Sequence, residues 1–179
     1  MKKAACLFLL LAVAFVFLAA GQGQKQVIGF KKLQEFLPKV ELSGFTRQKP
    51  GGETTSALGM TSSEAHVVYE KGSGDNVVSI EVKISDISGV PFGQMGTSMI
   101  GMLEFENETE NGYEKSIQVQ GFKGTERVDR SEDNKSAQIQ LAVGNRFLVE
   151  LQGTGTSDAT LLHKLLNDMK LAELAKLSQ

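Results

Sequence analysis

The sequence predicts an α+β fold, a mainly antiparallel sheet of six to eight strands with helices packed on it. Three observations predict it. Apolar residues recur at every second position in several short segments. Those segments are joined by tight turns, not by helical crossovers, which favours antiparallel pairing. Three other segments carry apolar residues at helical spacing and need a face to dock on.

In chain order, Phe30, Leu33, Phe36 and Leu37 share one helical face, and Pro38 ends that helix. Pro50-Gly51-Gly52, between polar Thr-rich flanks, reads as a hairpin turn joining strands at 45–49 and 53–58. In 63–71, Ala65, Val67 and Tyr69 alternate with Glu64, His66, Val68 and Glu70. After a turn at 72–76, Val78, Ile80, Val82 and Ile84 alternate with Ser79, Glu81, Lys83 and Ser85. This is the cleanest period-2 pattern in the chain and predicts a strand with one buried face. Pro91 opens a helix to Leu103 with Phe92, Met95, Met99, Met102 and Leu103 near helical spacing. Its interior glycines each cost about 1 kcal/mol against alanine, so tertiary contact must hold it. Four strands follow, at 116–120, 124–129, 136–143 and 146–151, the last two joined by a two-residue loop at Gly144-Asn145. Ser157 or Asp158 caps a final helix whose stripe is Leu161, Leu162, Leu165, Leu166 and Met169. Leu171, Leu174 and Leu177 add a short last turn.

The N-terminus carries an address. Met1-Lys2-Lys3 is basic, positions 4–20 hold no polar side chain beyond a thiol, and Ala19, Ala20 and Gly21 are small. These are the parts of a secretory signal peptide, with cleavage near Ala20–Gln22. Residues 1–21 are therefore assigned to the signal and 22–179 to one domain, in the periplasm or secreted. An uncleaved anchor is the alternative, because seventeen residues meet the lower bound for spanning. Cleavage would remove Cys6, the one cysteine, leaving 17 basic against 21 acidic residues. A cysteine-free exported domain points to bacteria. The mildly acidic balance, with no basic stripe, argues against nucleic acid as partner. Once the signal is removed, no stable membrane span is expected.

Chemistry-bearing residues are sparse. Only His66 and His163 offer imidazole for acid–base work, and neither sits in a hydrolase or metalloprotease motif. A small envelope hydrolase using His66 or His163 with a nearby carboxylate is one reading. Zinc lacks a ligand cluster. Met95, Met99 and Met102 on one helical face, joined by Met60 and His66, would suit Cu(I), although methionines at this spacing equally fill core gaps. Gly93, Thr97 and Gly101 form a small face suited to close packing or to a partner groove. Glu104, Glu106, Glu108 and Glu110 read as a solvated strand edge or loop without a calcium-loop pattern. Asn107-Glu108-Thr109 and Asn134-Lys135-Ser136 match the N-glycosylation pattern, which has meaning only on a eukaryotic secretory route.

The run Leu33-x-x-Phe36-Leu37-Pro38 with Gly44-Phe45, Gly112-Tyr113 before a strand, Val143-Gly144-Asn145-Arg146-Phe147 and a closing leucine helix resemble small exported bacterial proteins of uncharacterised function. The succession of antiparallel strands and flanking helices is similar in topology to the PsbP/Mog1-like sandwich. That resemblance implies a non-catalytic accessory or binding role; no cofactor is expected. It assigns no site residue, because no site motif is matched. The expectation is an exported, non-catalytic periplasmic binding or accessory domain with a possible protein partner in the cell envelope.

Overall fold

Period-2 alternation sorts the side chains of this chain onto two sheet faces. The computed structural model describes residues 26–90, 93, 99–100 and 104–179. Among them, β1 (Thr46–Arg47), β2 (Gly51–Ala57), β3 (Met60–Lys71) and β4 (Val78–Gly89) make up the N-terminal strands. The C-terminal strands are β5 (Glu106–Thr109), β6 (Gly112–Val119), β7 (Phe122–Asp129), β8 (Ser136–Val143) and β9 (Phe147–Thr154). They form one open sheet in the order β1-β3-β4-β9-β8-β7-β6-β5, with β2 also on β3. Every pairing is antiparallel. Helix α1 is Phe30–Leu33, extended by a 3-10 turn over Gln34–Phe36; α2 is Ala159–Asp168 and α3 is Leu171–Lys176.

One face of the sheet is apolar. Val67 and Tyr69 of β3, Val82 and Ile84 of β4, Ile139 and Leu141 of β8, and Val149 and Leu151 of β9 are fully buried. They share one cluster with Leu33, with Leu162, Leu165 and Leu166 of α2, and with Leu171 and Leu174 of α3. Most of the alternate positions are polar. Lys83 pairs with Glu150 at 3.1 Å, and Gln140 Nε2 donates to Glu150 Oε1 at 2.9 Å. A core on one side and solvated ion pairs on the other is the usual economy of an antiparallel sheet.

The chain departs from its sequence reading in four places. Pro50-Gly51-Gly52 is not a hairpin turn: β1 and β2 both pair with β3, and the reversal falls at Leu58-Gly59. Leu58 and Gly59 take φ of 52° and 76°, the left-handed pair that a two-residue hairpin requires. The loop between β8 and β9 has three residues, Val143 facing Phe147 in register, because Arg146 leaves the strand to turn inward. The acidic segment supplies a ninth strand, β5, all four of its residues exposed at the sheet edge. The first helix stops after two short turns, and Leu37 is already extended, as a residue before proline must be. Of the helix expected over 91–103, all but Gly93, Met99 and Ile100 lies outside the described residues, as does the signal segment with its cleavage position.

Why Arg146 turns inward is an electrostatic matter. The inward alternation of β4 continues one step past Ile84 to Asp86, whose side chain is fully buried. Arg146 donates from Nε and Nη2 to Asp86 Oδ2, at 3.0 and 2.7 Å. The backbone N–H of Ile28 donates to the same oxygen at 2.7 Å, while Ser88 N–H and Oγ serve Oδ1. The rest of the guanidinium bonds the carbonyls of Gln26 and Leu177, at 2.7 and 3.1 Å. One ion pair thus ties the N-terminal arm, β4, the β8–β9 loop and the end of α3. Burial pushes the Asp86 carboxyl up, but Arg146 and the Ile28 and Ser88 donors outweigh it and hold it below the ordinary range.

The Asp86–Arg146 wiring sets a mutational and a pH expectation, and the β2–β3 turn sets a third. Arg146→Ala strands a buried carboxylate and should lower unfolding stability by about 3–5 kcal/mol, whereas Asp86→Leu combined with Arg146→Met should recover most of the loss, both read from urea melts at pH 7. Because the folded carboxyl is lowered, its contribution is present above the ordinary aspartate value of roughly 4 and is lost as pH falls through the folded value. Leu58 is exposed and left-handed, so Leu58→Asn should raise stability by roughly 1 kcal/mol in the same melts.

Candidate functional site

A second acid points into the apolar layer. Glu126 lies on β7 in register with Gly124 and Val128, on the inward face, and is 3% exposed. The strand pattern puts it there, since residues two apart share a face. The adjacent strand brings Lys115 directly opposite and Tyr113 one step along. From above, α2 presents His163, one position from the buried Leu162. Asp158 starts that helix as its N-cap, accepting from the Thr160 N–H at 3.0 Å.

These four side chains converge. Tyr113 OH donates to Glu126 Oε1 at 2.8 Å, and His163 Nε2 is hydrogen-bonded to Glu126 Oε2. Lys115 Nζ stands 3.6 Å from Oε1. Lys115 and Arg130 sit 4.8 and 5.3 Å from the centre of the Tyr113 ring, so the phenol carries cations on its π system. Burial pushes the Glu126 carboxyl up, yet the Tyr113 and His163 hydrogen bonds and the His163 and Lys115 charges bring it below its ordinary value. Burial and the Glu126 bond push the Tyr113 phenol up to about 12, so it stays a donor at neutral pH. The same β6–β7 hairpin grips the far end of α2, where Gln120 Nε2 donates to the Leu166 and Met169 carbonyls at 3.1 and 3.2 Å. Chemically the group is an imidazole oriented by a buried carboxylate. It can move protons, and it can also hold a helix to a sheet.

The two histidines are not brought together. His66 occupies the polar face of β3, opposite the core, with Glu64 Oε1 at 3.8 Å from its Nδ1. Its ring covers Gly51, its register partner, where a Cβ would fall 2.4 Å from Nε2. Met60 lies six residues away on the same strand, roughly 20 Å along it. Met99 is exposed, and Met95 and Met102 lie outside the described residues. Among the described residues, no three His, Cys, Asp or Glu side chains are grouped to hold a metal, and no helix is long and apolar enough to cross a membrane. Sequence reasoning missed Glu126, Tyr113 and Lys115. The available signal was a charged residue at the inward register of a strand.

Glu126→Leu should leave His163, Tyr113 and Lys115 without their acceptor and lower stability by about 1–3 kcal/mol at pH 7. The lowered carboxyl contributes stability above the ordinary glutamate value, roughly 4.3, and loses it as pH falls through the folded value. The wild-type advantage over Glu126→Leu should therefore shrink between pH 6 and pH 3 in urea melts. An advantage that stays constant over this range would show that the carboxylate's charge has no part in it.

The protein-family models, the curated proteins and the solved structures were each compared with this chain, and none of the three comparisons found a match.

Proposed function

We propose that the protein is an exported, non-catalytic accessory domain that binds a partner in the bacterial cell envelope. The observation that carries this reading is the saturation of Glu126. Both its oxygens are engaged, by Tyr113 and Lys115 on one side and by His163 on the other. All four groups sit where α2 meets β6 and β7, so the cluster works as a strut. The basic start and apolar run of residues 1–21 support export, and the small-residue exit supports cleavage near Ala20–Gln22. The same proposal takes the fold, at its finer grain, as helices laid on one face of the sheet, similar to the PsbP/Mog1-like sandwich. The leucines of α2 and α3 in the strand cluster support that arrangement.

A second reading is favoured by one contact. A buried carboxylate on an imidazole is half of a hydrolytic relay, and His163 is partly open to solvent. The two readings separate in a single assay. The purified chain should leave a panel of nitrophenyl esters and phosphates at the buffer rate, and His163→Gln should change nothing but the melting curve. Turnover by the wild type that disappears in His163→Gln would make the protein a hydrolase and end the accessory reading. Fractionation of expressing cells should place the chain in the periplasm with its mature N-terminus near Gln22.

A further inference from the structure

The loop ahead of β1 leaves an open cleft of about 610 Å3 against α2. Its lining is mostly polar, with one aromatic ring: Phe45 is half-buried and packs on the core cluster, and Leu42 behind it is buried. Its walls are cationic. Arg47 enters from β1 and Lys164 from the outer side of α2. A third cation joins them, since the Lys71 side chain crosses Gly44 at 3.4 Å from where a Cβ would stand and sets its Nζ 5.8 Å from the centre of the Phe45 ring.

Among the described residues, none of these three cations has a carboxylate within ion-pairing distance. Arg47 is placed by its Nε, which donates to the Pro38 carbonyl at 3.1 Å and to Tyr69 OH at 3.2 Å. Asp168, at the end of α2, is taken by the backbone N–H groups of Lys39 and Val40 at 2.7 and 3.1 Å. Glu41 is the one acid among the described lining residues, and it is exposed. Three cations without a carboxylate partner beside one aromatic ring favour a ligand with an anionic head and a small flat body.

We infer that this cleft binds a small organic anion, its phosphate or carboxylate head between Arg47, Lys71 and Lys164 and its flat apolar part on Phe45. The inference rests on the reading of the chain as a binding domain and gives that reading a ligand class.

Phenyl phosphate tests it, with inorganic phosphate and benzyl alcohol as the head alone and the body alone. Titration of the full-length purified chain, followed by calorimetry and by NMR of the Phe45 and Leu42 signals, should show saturable binding of phenyl phosphate. Each half alone should bind at least about tenfold more weakly. Lys71→Gln with Lys164→Gln should weaken phenyl phosphate about tenfold without moving the melting temperature, because both side chains are exposed. Arg47 is left intact because it supports Tyr69. No saturation at millimolar concentrations, equal affinity for benzyl alcohol or for inorganic phosphate, or an unchanged affinity in the double variant would each overturn the site. Phenol released in the same samples reports separately. Binding with turnover keeps the cleft and refutes the non-catalytic reading, whereas absence of both refutes the cleft alone.

Discussion

Asp86 is a charge placed where the strand pattern calls for an apolar residue, and much of the molecule is arranged to satisfy it. A carboxylate with no exposed surface is tolerable only with a cation and several donors around it. Arg146 provides the cation, and Ile28 and Ser88 provide N–H and O–H donors. The consequences spread outward. Arg146 must leave its strand, so the β8–β9 connection lengthens by one residue. A bulge opens where β3 and β4 shift register between Thr61 and Ser63, just where Asp86 pairs. The guanidinium's spare protons reach Gln26 and Leu177, so both ends of the described domain are fastened to one point.

The same device recurs in weaker forms. Glu126 is the second inward acid, and it fastens α2 to β6 and β7 through His163, Tyr113 and Lys115. Tyr69, fully buried, uses its hydroxyl to hold the carbonyls of Pro38 and Val40, and the N–H groups of Lys39 and Val40 donate to Asp168. Segments with little regular structure are thereby fixed by single buried polar groups. A cysteine-free domain with short helices has few other means of fixing its loops.

Most of the sheet was legible in the sequence because period-2 alternation is a local signal. Val67 and Tyr69, or Val82 and Ile84, declare their face within a few residues. The leucine stripe of α2 and its Asp158 cap were legible for the same reason. The errors came where distant parts of the chain decide. Pro50-Gly51-Gly52 looks like a turn locally, yet β3 is long enough to receive β1 and β2 in succession, so the chain runs on along one edge. Arg146 looked like the start of a strand until Asp86, sixty residues away, claimed it. The candidate cluster was half visible: His163 stood out as one of two histidines, but its carboxylate partner required knowing that β7 passes beneath α2. Acids at inward positions, Asp86 and Glu126, were the overlooked sign.

If the Asp86–Arg146 pair is what fastens the ends of the chain, the Ile28 amide should behave as part of the core even though it lies outside any helix or strand. Native-state hydrogen exchange reads this directly. The account predicts that the Ile28 N–H exchanges as slowly as the amides of β4 and β9, through global unfolding. Exchange at the rate of a free peptide, with β4 and β9 still protected, would contradict it.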